Sequence, residues 1–144
     1  MTESPIRPPA PRRMALVVFV GATEIPWLRF LQPGFRHCFA LIHDTENWII
    51  YDPLAHQTEI SAYPDAAARD LADWYRGLGH VVIATEVRAA PMRAVLWRPF
   101  TCVEAVKRVL GLHAARVLTP WQLYRVLKKS PKSDYFLEII KKSA

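Results

Sequence analysis

An α+β domain is the fold class this sequence predicts, and three observations carry that expectation. Short apolar runs of strand length are mixed with separate amphipathic helical segments. Two of those helices open with capping grammar, at Thr101 and at Thr119. The chain of 144 residues is 51% apolar, which suits one domain with one sizeable core.

Residues 1–13 carry Pro5, Pro8, Pro9 and Pro11 among Arg7, Arg12 and Arg13, and they read as an extended or disordered basic arm. The domain itself is expected over 14–130, with 131–144 as a basic tail or short helix. A first strand is predicted over Ala15–Val20. Ile25–Leu31, with Trp27, Leu28 and Leu31, has the spacing of one helical turn, and Pro33-Gly34 marks the entry to the next strand. Phe35–Ile42 reads as that strand, His43–Asn47 as a turn and Trp48–Asp52 as the returning strand. Gln57–Ser61 is a further short strand. Pro64–Arg76 predicts a helix with Ala67, Leu71, Trp74 and Tyr75 inward and Gly77 at its end. Val81–Val87 and Ala94–Trp97 are strands. A helix from Cys102 to Gly111 turns Val103, Val106, Val109 and Leu110 inward and Lys107 and Arg108 outward. The last helix starts at Thr119-Pro120-Trp121-Gln122 and turns Leu123, Val126 and Leu127 inward.

Chemistry concentrates at Thr101-Cys102-Val103-Glu104. A Thr101–Glu104 capping box makes Cys102 the first helical residue, where unpaired amides and the positive end of the helix dipole favour a thiolate. The competing interpretation is a small buried residue under a helix end. A nucleophilic cysteine needs a base, and the histidines are His37, His43, His56, His80 and His113. If Asp44–Asn47 sets the hairpin register, Ile42 lies opposite Ile49, Phe39 opposite Asp52, and His37 diagonal to Asp52 on the same face. His37 is therefore the first choice of base, with Asp52 holding its imidazole. His56 is the second choice and an alternative orienting group; His43 is expected to be solvated in the turn. Cys38, by strand alternation, is expected to be buried and unreactive on the side of the sheet away from His37. A Cys38–Cys102 disulfide is conceivable but would consume the nucleophile.

A strand histidine, a polar residue on the next strand and a later cysteine at a helix start resemble the papain-like NlpC/P60 superfamily in its circularly permuted form, which includes the lecithin:retinol acyltransferase-like proteins. The order His37 before Cys102 matches the permuted arrangement, and the resemblance spans about residues 14–127. It implies a papain-like fold, a small antiparallel sheet packed with helices, and a triad of Cys102 as nucleophile, His37 as base and Asp52 as third member. It further implies hydrolysis or acyl transfer at a peptide, cell-wall peptide or acyl ester bond through a thioester. The superfamily often has another residue type at the third position, and it does not require Cys38. The sequence is also similar in character to small proteins encoded among bacteriophage structural genes.

No cofactor is expected, and no metal, because Cys and His do not occur in pairs at ligand spacing. Met14–Val20 is too short to span a bilayer and its proline-rich approach is unlike a signal peptide, so a protein cytoplasmic at synthesis is expected, open to assembly into a phage particle. The net charge of +6 lies at the ends: 1–13 and 125–144 hold nine Lys or Arg against three acids, and the remainder is balanced. Basic ends suit contact with an anionic surface or non-specific nucleic acid rather than sequence reading. The five tryptophans are spread one per element, as core residues are. The rival function is thus a non-catalytic structural or interaction module, such as a virion component, on the same scaffold.

Overall fold

The computed structural model describes residues 13–22, 26–64, 66–89 and 99–130. Residues 1–12 of the arm expected over 1–13, the strand expected at Ala94–Trp97 and the tail expected over 131–144 lie outside the described residues. The fold is α+β, with a five-stranded antiparallel sheet in the order β4-β3-β2-β1-β5. Arg13, assigned to the arm by composition, opens β1 (Arg13–Val20). β2 (His37–Asp44) and β3 (Asn47–Pro53) form the expected hairpin, closed by Thr45 and Glu46 between the paired Asp44 and Asn47. β4 (Thr58–Pro64) is an exposed edge strand and β5 (Val81–Val87) forms the other edge.

Helices cover both faces of this sheet. α2 (Cys102–Leu110) and α3 (Pro120–Lys128) lie over Ala15, Val17, Phe19, Cys38, Ala40 and Ile83. α1 (Ala68–Gly77) lies over Leu16, Val18, Phe39, Leu41 and Val82. β1 is sandwiched between them, which explains its unbroken apolar run from Ala15 to Phe19: alternation vanishes when both faces are buried. A single 3₁₀ turn (Pro26–Phe30) stands where a helical turn was expected.

Four inward/outward assignments differ from the sequence reading: Ala67, expected inward, precedes α1 as its N-cap and is exposed, and one geometry accounts for the other three. Each helix buries residues at positions i, i+3, i+4 and i+7. In α1 these are Ala68, Leu71, Ala72 and Tyr75; Trp74 falls off the stripe and is 58% exposed. In α3 they are Pro120, Leu123, Tyr124 and Leu127, leaving Val126 exposed. In α2 they are Val103, Val106, Lys107 and Leu110, so Lys107 is buried, at 3% exposure, rather than on a polar face. Its ammonium donates to the carbonyls of Ala114 (3.0 Å) and Val117 (2.9 Å) and pairs with Glu104 (2.9 Å), which meets the requirement that a buried charge be fully partnered. The predicted helix start at Pro64 also moves, to Ala68, because β4 continues through Pro64 to pair with Asn47.

Candidate active site

The hairpin register sets the first half of the site. Ile42 faces Ile49 as expected, and the β2–β3 ladder ends at Ala40↔Tyr51. His37, the first residue of β2, and Asp52, near the end of β3, lie just past that end. Their side chains share the sheet face that carries Phe39 and Ile50. His37 Nε2 is 2.7 Å from Asp52 Oδ1, both groups being partly buried. This contact commits Nε2 to the carboxylate and leaves Nδ1 for another partner. The Phe39 ring stacks beside the imidazole, with centroids 6.4 Å apart. Upstream, Phe35 is wedged among Phe19, Trp121 and Tyr124, at 5.5, 4.8 and 4.8 Å between ring centroids, so the approach to His37 is anchored to α3.

The second half is the start of α2. Thr101 Oγ1 accepts a hydrogen bond from the Glu104 amide at 3.2 Å, as an N-cap should. The other half of the expected capping box is not made. The Glu104 carboxylate turns along the helix to Lys107 and Arg108, because the buried ammonium of Lys107 claims it. Cys102 is therefore the first helical residue, half-buried, and packs on the cluster that contains Cys38.

Three groups act to lower the Cys102 thiol. The thiol of Cys38 is the strongest influence; the His37 imidazole and the Cys38 backbone amide add to it, and together they overcome the opposing effect of burial. The Cys102 thiol is lowered from its ordinary 9.0 to about 5. For His37, burial favours the neutral ring, but the hydrogen bond to Asp52 and the contact with Cys102 prevail, raising it from 6.5 to about 9. The two shifts describe one coupled event, the formation of a thiolate–imidazolium pair near neutral pH. Cys38 moves the opposite way: complete burial holds its thiol well above the ordinary value, so it stays a protonated donor.

All three residues singled out from the sequence thus fall in one constellation, joined Asp52 to His37 to Cys102. The remaining histidines stand apart. His56 is exposed in the loop between β3 and β4 and does not join Asp52. His43, expected to be solvated, belongs to β2 and packs against the Trp48 ring at 4.8 Å. His80 precedes β5 beside Tyr75, and His113 is exposed after α2. No three His, Cys, Asp or Glu side chains among the described residues are grouped to hold a metal ion.

Cys38 is the residue whose part the sequence reading missed. It is buried and points away from the Phe39 side, as alternation requires, but that side is the one α2 covers, so its thiol meets Cys102. Tyr75 of α1 is the other. It packs edge-on against Phe39 at 5.5 Å, and burial with the nearby Asp52 charge raises its hydroxyl.

The backbone amides at the start of α2 complete the arrangement. The Ala105 amide closes the first turn on the Thr101 carbonyl, and Thr101 Oγ1 takes the Glu104 amide. The helix itself has no use for the amides of Cys102 and Val103, which leaves them suited to a developing negative charge. No family model, curated protein or solved structure matches the chain, so the site rests on its own geometry.

Proposed function

We propose that this protein is a thiol hydrolase or acyltransferase with a papain-like site of the permuted NlpC/P60 type. The observation that carries the reading is the 2.7 Å contact of Asp52 with His37, whose imidazole helps to lower the Cys102 thiol at a helix N-terminus. Cys102 is the nucleophile, His37 the general base and acid, and Asp52 the group that orients and charges the imidazole.

The thiolate of Cys102 attacks the carbonyl carbon of an amide, peptide or acyl ester bond. The Cys102 amide is the natural donor to the oxyanion that forms. His37 gives its Nδ1 proton to the departing amine or alcohol, leaving an acyl thioester on Cys102. Water, or an acyl acceptor, then loses a proton to His37 and attacks the thioester, which restores the thiolate–imidazolium pair.

The test is acyl capture. Wild-type protein is incubated with a panel of activated peptide, cell-wall peptide and lipid acyl esters, and the intact mass is followed on the millisecond-to-minute scale. A mass increase of one acyl group on Cys102, lost again in water and absent from Cys102→Ala and His37→Ala, is expected. A thiol that takes up no acyl group from any ester overturns the reading in favour of a non-catalytic module, the alternative that includes a virion component with basic ends.

A further inference from the structure

The catalytic scheme uses one thiol, yet two meet at the site. Cys38 lies fully buried on β2, inside the sheet, and belongs to the same core cluster on which Cys102 packs from the start of α2. Of all the elements in contact with α2, β2 shares the most extensive contact. Through its thiol, and to a smaller extent its backbone amide, Cys38 helps to lower the Cys102 thiol. The two are chemically unequal: Cys102 is partly buried and held as a thiolate, whereas Cys38 is screened from solvent and held as a thiol.

We propose that Cys102 and Cys38 form a redox modification site: a hydroperoxide oxidises Cys102, and Cys38 converts the product into an intramolecular disulfide. This role rests on the reading of Cys102 as a reactive thiolate and adds a partner for it. In the first step the Cys102 sulfur attacks the terminal peroxide oxygen. An S–O bond forms, the O–O bond breaks, and two electrons pass from sulfur to the peroxide. The leaving oxygen takes the His37 proton and departs as water or an alcohol, and Cys102 is left as a sulfenic acid. In the second step the Cys38 sulfur attacks the Cys102 sulfur. The S–S bond forms, the S–O bond breaks, and the hydroxyl leaves as water with the Cys38 proton. An external dithiol reverses the modification by thiol–disulfide exchange.

The inequality of the two thiols sets the direction. A buried, protonated thiol is a poor target for a peroxide, so Cys38 does not react first. A sulfenic acid at Cys102 is formed with its resolving partner already beside it, which protects it from further, irreversible oxidation. The disulfide removes the nucleophile and fastens the start of α2 to β2.

The experiment treats the full-length wild-type protein with one equivalent of hydrogen peroxide and reads intact mass, peptide map and iodoacetamide labelling before and after dithiothreitol. The expected result is a monomer lighter by two hydrogens, a Cys38–Cys102 cross-linked peptide, and labelling of Cys102 that is lost and then recovered on reduction. In Cys38→Ser the same treatment leaves a Cys102 sulfenic acid that dimedone traps. A Cys102 that alkylates readily but ends as a sulfinic acid, or as an intermolecular disulfide with Cys38 free, overturns this inference and leaves the proposed function standing. A Cys102 that neither alkylates at neutral pH nor oxidises overturns both.

Discussion

Asp52 accepts a hydrogen bond from His37 Nε2 at 2.7 Å, beyond the last pair of the hairpin ladder that brings the two residues together. The carboxylate fixes the ring and its charge through Nε2 and leaves Nδ1 for another partner. The chemistry of the site derives from this division of one ring between two partners.

The first expectation is a pH profile. Because the Cys102 thiol is lowered to about 5, alkylation of Cys102 should rise as pH passes about 5 and be nearly complete at neutrality. Because His37 is raised to about 9, acyl transfer should fall again as pH passes about 9 and the imidazolium is lost. In His37→Ala the alkylation midpoint should move up, because the imidazole is one of the groups that lower the Cys102 thiol. Peptide mapping should find Cys38 unlabelled throughout. A midpoint near the ordinary thiol value in the wild type would contradict the ion pair.

Stability should carry the same signature. The stabilisation owed to Cys102 is present above 9.0 and lost as pH falls through about 5, since its folded value is depressed. That owed to His37 is present below 6.5 and lost as pH rises through about 9, since its folded value is raised. Summed, the two contributions should make stability rise between about 5 and 6.5, where only the unfolded chain still holds the Cys102 proton, and then stay level because the Cys102 gain and the His37 loss cancel. Chemical denaturation across pH should show this rise and plateau, and the Cys102→Ala, His37→Ala double variant should lose the rise.

Asp52→Asn keeps a hydrogen-bond acceptor beside His37 but removes its charge. The imidazole should titrate lower than in the wild type, and the alkaline limb of the activity profile should move with it. Imidazole chemical shifts followed through a pH titration check this directly, and an unmoved histidine would remove Asp52 from the triad.

Gly21→Ala should disturb the site from a distance. A Cβ there would stand 3.0 Å from Gly34 Cα and 3.3 Å from Gly34 N, both backbone atoms with little room to yield. Gly21 also receives the Arg36 guanidinium on its carbonyl at 3.1 Å, so the displaced segment leads straight into His37. A cost of about 1–3 kcal/mol in stability is expected from such overpacking. Slower Cys102 alkylation at neutral pH should accompany it.

Lys107→Ala should cost about 2–4 kcal/mol, because it strips a buried charge from the Ala114 and Val117 carbonyls and from Glu104. Urea denaturation gives the number. A near-neutral result would mean that the ammonium is not the anchor of the turn after α2.

Much of this was legible in the residues themselves. The hairpin, its register and the same-face placement of His37 and Asp52 follow from alternation and a short turn, both local properties. The helix starts at Cys102 and Pro120 follow from Thr101 and Thr119, whose hydroxyls satisfy amides three residues on. The α+β class follows from mixed strand and helix periodicities. Apolar identity was a poorer guide to facing: Trp74 and Val126 are large and apolar yet fall off the stripe, and Lys107 is charged yet falls on it.

Tertiary structure alone decided which side of the sheet each helix covers. Alternation separates Cys38 from His37, but it assigns neither to a helix, because a strand buried on both faces reads the same whichever layer lies above it. Once α2 settles on the Cys38 side, at the end of the sheet where the β2–β3 ladder stops, Cys102 meets Cys38 and His37 together. The sequence by itself determined the identities and local geometry of the reactive groups, since those depend on neighbours a few residues away. Their convergence depends on the docking of a helix onto strands more than sixty residues earlier, where burial of the shared apolar face sets the position.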